Sequence, residues 1–157
     1  MTNTVVTDRD LLSGKMRIGE KVVVIGGGLV GCEPAETAAQ EAKQVSIVEI
    51  LDKVAADMIP PMRKVLLKRL SAKGVRLFTG ILREEITERG VTIEDKQGHR
   101  HDLDADQVVI AVGAIPDSGL ANELKGRVRE LHVVGDSKGK DRILEAIHGG
   151  EKAGQDL

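Results

Sequence analysis

The residues with the clearest chemical potential lie in Lys21 to Gly31, KVVVIGGGLVG. A wholly apolar β-branched run, Val22 to Ile25, is followed at once by Gly26, Gly27 and Gly28, and Gly31 completes the spacing G-x-G-x-x-G. That pattern suits a pyrophosphate. Gly26 lets the chain turn sharply out of a strand, Gly28 presents no Cβ to an approaching phosphate, and Gly31 lets the next helix pack close to the strand. The amides of the Gly27-Gly28-Leu29-Val30 segment and the positive end of that helix would hold the phosphates. A second apolar run, Val45-Ser46-Ile47-Val48, ends in Glu49 one helix length later. A carboxylate there can accept from a ribose 2′-hydroxyl and would repel a 2′-phosphate. No Arg or Lys follows until Lys53, so NAD(H) is expected in preference to NADP(H).

The glycine spacing alone is weak, because 18 glycines in 157 residues can produce it by chance. Its context supplies the specificity: strand before, helix after, carboxylate at the next strand end. Gly113, after the apolar run Val108 to Val112, either lets the backbone pass close to the nucleotide or simply ends a strand. Asp136, after Gly135, is a second candidate contact or an ordinary turn residue. No nucleophile–base pair is present, so no catalytic residue is named. His99, His101, His132 and His148 lack metal-ligand spacing and read as surface residues. Cys32, the sole cysteine, reads as small apolar packing.

The elements that must position these residues follow from the remaining patterns. Met1 to Glu20 reads as a polar lead-in with a short element at Asp10-Leu11-Leu12. A helix of about Leu29 to Ala42 contains Pro34, which cannot bond back to Val30, so either the helix kinks there or its first turn is irregular and regular helix begins near Pro34, the second being preferred. Leu51 to Met58 reads as a loop. Pro60-Pro61 opens a helix with Met62, Val65, Leu66 and Leu70 at helical spacing, closed by Gly74, and Val75 to Phe78 is a third strand. Three short runs between Ile81 and Leu103, separated by Glu88-Arg89-Gly90 and Lys96-Gln97-Gly98, form an antiparallel meander. Val108 to Val112 returns to the parallel sheet, and a last helix begins near Asp141, loosened by Gly149-Gly150. The fold class expected is α/β: a Rossmann-like doubly wound parallel sheet with an antiparallel three-stranded β-meander. The domains are a lead-in over 1–20, a nucleotide-binding domain over 20–116 and a tail over 117–157.

Composition narrows the partners. Charged residues are 31% with net charge −2, which gives no reason to expect a nucleic-acid partner. Phe78 is the only aromatic, so no stacking platform for bases or an isoalloxazine exists. No signal peptide or membrane-length apolar run is seen, and a soluble cytoplasmic protein is expected.

Taken in order, KVVVIGGGLVG, VSIVEI, DQVVIAVGAIPD, HVVGDS and RILEAIHGG resemble the C-terminal part of the NADH:flavin oxidoreductase family, related to old yellow enzyme and including 2,4-dienoyl-CoA reductases. The resemblance runs from about Asp10 to Gly154. It implies that residues 20–116 are an NAD(P)H domain inserted in an FAD domain, and that residues 131–157 return to the FAD domain, with Gly135 and Asp136 meeting FAD. FMN and an iron–sulfur cluster would belong to an N-terminal barrel that this chain lacks, either on the same polypeptide or on a partner subunit. The implied function is delivery of hydride from NADH to a flavin held mostly elsewhere. The alternatives are a non-catalytic docking module with a vestigial pocket, in which Pro34 spoils the phosphate site, or an FAD-binding fragment using Gly135-Asp136. The tail's Val133-Val134 is expected to join this chain's own parallel sheet; if it lies beside Val22 to Ile25, Asp136 would face the Gly26 loop and mimic an FAD site.

Overall fold

The computed structural model describes residues 4–139 and 143–156. Two compact units meet in sequence between Gly113 and Ala114. The first holds a five-stranded, wholly parallel sheet in the order β1-β8-β2-β3-β4. The strands are β1 Thr4–Thr7, β2 Lys21–Ile25, β3 Gln44–Val48, β4 Arg76–Phe78 and β8 Gln107–Ile110. A three-stranded antiparallel sheet, β5 Ile81–Thr87, β6 Gly90–Asp95 and β7 Arg100–Asp104, is the expected meander.

Strand alternation sorts the core onto the two faces of the parallel sheet. Val22, Val24, Ile47 and Val109 point to one face, where they meet Cys32, Ala35 and Ala38 of α2 (Leu29–Ala38) and Leu66 and Leu70 of α3 (Pro60–Ala72). Val23, Ile25, Val48 and Val108 point to the other, against Ile81, Val91, Ile93 and Leu103 of the meander. A sheet covered on both faces explains why its central strands read as unbroken Val/Ile runs. The second cover is the meander, where a doubly wound sheet commonly places helices.

Several sequence expectations change. The lead-in contains an edge strand: Val6 pairs in register with Val109, and only Val6 of β1 is buried. It runs into α1 (Asp8–Leu12), capped by Thr7 and Asp10 in a reciprocal box, with Leu11 buried. Helix α2 is helical from Leu29, not from Pro34, and stops four residues earlier than expected. Val133 and Val134 form no strand, because both sides of β2 are already taken, by β3 and β8.

The second unit holds α4 (Gly119–Leu124), one 3₁₀ turn at Gly135–Ser137 and α5 (Ile143–Gln155). Gly149 and Gly150 lie within α5 without interrupting it. The expected start of this helix at Asp141 lies outside the described residues.

Candidate nucleotide site at the carboxyl edge of the parallel sheet

All five parallel strands present their carboxyl ends to one edge. The chain leaves β2 toward β3 and β4 on one side, while β8 lies on the other, so the crevice between β2 and β8 is a topological switch point. The glycine loop emerges there.

Each glycine has a different neighbour. A Cβ on Gly26, whose φ is +104°, would stand 2.4 Å from the Ala111 carbonyl oxygen beyond β8. A Cβ on Gly31 would lie 1.9 Å from the Gly26 carbonyl oxygen, which is full overlap. Gly27 is confined by Glu49 and Val54, with the Glu49 Cβ at 2.9 Å. Gly28 alone of the four faces open space, with nothing within 4 Å, and its φ of −66° suits any residue. Gly26, Gly27 and Gly31 are therefore explained by the protein's own packing. Gly28 is not, and its missing side chain keeps open a space that a ligand could fill.

Gly28 is also the N-cap of α2 and supplies no side-chain cap. The amides of Gly31 and Cys32 both turn back to the Gly28 carbonyl, at 3.1 and 3.0 Å. Those of Gly28, Leu29 and Val30 donate to no group among the described residues. No acidic residue stands in the first turn of α2 to compete for them. Open donors at the positive end of a helix, beside a vacant Cβ direction, fit a pyrophosphate. Pro34 is buried five residues into the helix and leaves this first turn formed.

Glu49 is 7% exposed at the end of β3. Its Oε2 accepts from the Gly27 amide at 2.6 Å and its Oε1 from the Leu51 amide at 2.8 Å. Each carboxylate oxygen retains a second lone pair for a ribose hydroxyl. Of the predicted residues, Gly26 to Gly31 and Glu49 are thus brought together. Gly113, with φ +98°, lies two residues past Ala111, whose amide donates to the Ile25 carbonyl at 2.8 Å. Gly135 and Asp136 lie in the second unit, where Asp136 is exposed.

Cys32 Sγ is 3.8 Å from the Gly27 carbonyl oxygen. Burial pushes its thiol up to about 11, and the carboxylates of Asp57, Glu49, Glu33 and Glu36 add to the shift. It is a packing residue. His99 and His101 are exposed in side chain, and among the described residues no group of His, Cys, Asp and Glu is arranged to hold a metal ion. No helix among them is long and apolar enough to cross a membrane.

Two participants carry no sequence signal. The Ala55 amide donates to the Gly27 carbonyl at 2.7 Å, and Ala55 holds a left-handed φ of +50°. Arg63 of α3 donates from Nε to the Val54 carbonyl, also at 2.7 Å. Nothing in an alanine or an arginine type announces a backbone bond of this kind.

Known proteins resemble this chain in sequence and fold. The family described as pyridine nucleotide-disulphide oxidoreductase matches residues 2–143. An NADH oxidase of Thermoanaerobacter brockii is 37% identical over 147 residues, covering 90% of this chain and 22% of that protein. A bilirubin reductase of Mediterraneibacter gnavus is 39% identical over 116 residues, covering 74% of this chain and 18% of that protein. The solved structure of a 2-naphthoyl-CoA reductase complex superposes with a TM-score of 0.90 at 30% identity, covering 98% of this chain and 23% of that one. The chain spans about a fifth of the length of these curated relatives.

Proposed function

Because the chain belongs to the pyridine nucleotide-disulphide oxidoreductase family, we propose that it is the NADH-binding portion of a flavin-dependent oxidoreductase of the NADH:flavin type. The observation that carries this reading is Gly28: an open Cβ direction that packing does not require, beside three undonated amides at the start of α2. The nicotinamide, when bound, supplies a hydride to a flavin held mostly outside this chain. The protein's own contribution is placement. The Gly28, Leu29 and Val30 amides bind the pyrophosphate, and Glu49 accepts from the adenosine ribose. Gly113 lets the end of β8 pass close to the cofactor.

Glu49 also sets the preference for NADH over NADPH. A 2′-phosphate would meet a buried carboxylate followed by Asp52, whose carboxylate pairs with Lys96 of the meander. Gly135 and Asp136 would contact FAD only in an enzyme that carries the rest of the flavin domain. FMN and iron–sulfur chemistry would likewise belong to further domains or a partner subunit. That α2 is helical from Leu29 with Pro34 in place supports this reading over the docking-module alternative.

Titration of the purified chain with NADH and NADPH, followed by heat or fluorescence, tests the reading. NADH binding stronger than NADPH binding and lost in Gly28→Val is the expected result. Equal binding in Gly28→Val would remove the pyrophosphate site from this loop, and equal NADPH binding would remove the role given to Glu49.

A further inference from the structure

Three short hydrogen bonds run in series from α3 to the glycine loop. Arg63 Nε donates to the Val54 carbonyl at 2.7 Å. The Ala55 amide donates to the Gly27 carbonyl at 2.7 Å, and the Gly27 amide donates to Glu49 Oε2 at 2.6 Å. Gly27 is therefore held at both its amide and its carbonyl. Val54 and Ala55 are 1% and 0% exposed, so this stretch between β3 and α3 is packed like core.

Ala55 is the one non-glycine among the described residues with positive φ. A left-handed alanine is strained, and it persists only where the surroundings hold it. The neighbouring peptide is held from α3 by a guanidinium, which donates a charge-assisted bond to a neutral carbonyl.

The planarity of the peptide bond carries this to the cofactor site. The Gly27 carbonyl and the Gly28 amide belong to one trans peptide unit and point in opposite directions. Ala55 pins that carbonyl inward, so the Gly28 N–H must point outward at the start of α2. We propose that Arg63 is a positioning residue for the phosphate loop: through Val54 and Ala55 it fixes the Gly27–Gly28 peptide and with it the direction of the Gly28 amide. The consequence for NADH rests on the nucleotide reading above; the clamp rests on this chain's geometry alone.

The test compares wild type with Arg63→Met and Arg63→Lys by residue-resolved amide exchange and by NADH titration. In Arg63→Met the Ala55 amide should exchange faster while the Val23 and Ile47 amides keep their protection. NADH affinity should fall roughly tenfold, the scale of one lost charge-assisted hydrogen bond. Arg63→Lys, which retains a cationic donor, should recover part of both effects. An Ala55 amide as protected in Arg63→Met as in wild type would overturn the proposal. Should Arg63→Met fail to fold, Arg63→Lys decides alone: faster exchange confined to Ala55 supports the clamp, and unchanged exchange removes it. Released Ala55 in a chain that binds no dinucleotide even as wild type would end the nucleotide reading and leave the clamp standing.

Discussion

Helices α3 and α5 are both 13 residues long and both carry Leu or Ile at helical spacing, yet only α3 buries any of them. Leu66 and Leu70 of α3 lie 6% and 0% exposed against the parallel sheet. Ile143, Leu144 and Ile147 of α5 are 81%, 59% and 60% exposed, and no described residue beyond Ala111 is buried. Amphipathic spacing therefore does not determine burial. A helix buries its stripe only where other elements offer an apolar face, as the core cluster that includes Ala35 and Ala38 of α2 and Ile47 of β3 does for Leu66 and Leu70 of α3. The first unit has such a face on each side of its sheet; the second has none among its described elements.

The contrast is most easily broken at two isoleucines. Ile47 is wholly buried in β3, and Ile147 stands 60% exposed in α5. Ile47→Ala should cost about 2–5 kcal/mol in urea unfolding, whereas Ile147→Ala should stay within about 0.5 kcal/mol. A comparable loss at both positions would show that α5 covers or is covered by something in solution.

Within the glycine loop the same logic predicts a smaller, sharper split. Gly31→Ala places a Cβ on the Gly26 carbonyl oxygen and should lower the melting temperature by many degrees. Gly28→Ala meets no atom, so its melting temperature should match wild type while NADH affinity drops roughly tenfold or more by loss of close phosphate contact. Thermal melts with and without NADH separate the two. Glu49 cannot make this separation: in Glu49→Gln one end of the amide turns an NH₂ toward the Gly27 or Leu51 amide, so fold and binding should weaken together.

The thiol gives a further effect with a defined sign. Cys32 is raised in the folded state to about 11 from its ordinary 9.0, so the native state favours the protonated form. That contribution is complete below pH 9 and is lost as pH rises through 11. A thiol reagent at pH 8 should leave Cys32 unmodified until urea unfolds the chain; rapid labelling of native protein would contradict its burial. The smallest effect belongs to the exposed cap of α1. Hydrogen bonds from the Thr7 side chain and amide hold the Asp10 carboxyl below its ordinary value. Its contribution is therefore present above the ordinary carboxylate range and fades as pH falls, and Asp10→Asn should flatten only the acid limb of the stability profile.

Legibility in the sequence followed the same division. The strands β2, β3 and β8 were readable because burial on both faces demands continuous β-branched runs, and the meander because glycine turns separate its strands. Strand β1 was not, since an edge strand with one buried side chain, Val6, has no such run to show. Glu49 could be read from its place at a strand end, but not its bonds to Gly27 and Leu51. Ala55 and Arg63 act through a backbone amide and toward a backbone carbonyl, which leaves no trace in residue type. The reading of Val133-Val134 as a sheet strand failed because two valines count for little when no vacant strand edge awaits them beside β2.

The open direction at Gly28 also bears on how this chain would tolerate random change. A selection that reports only whether the protein folds would tolerate an alanine at Gly28 and reject one at Gly31, three positions along the same motif. A selection that reports ligand capture would reject both. Drift under the first regime alone would therefore erode Gly28 unseen, leaving a well-folded protein whose motif is intact at every position the fold itself requires.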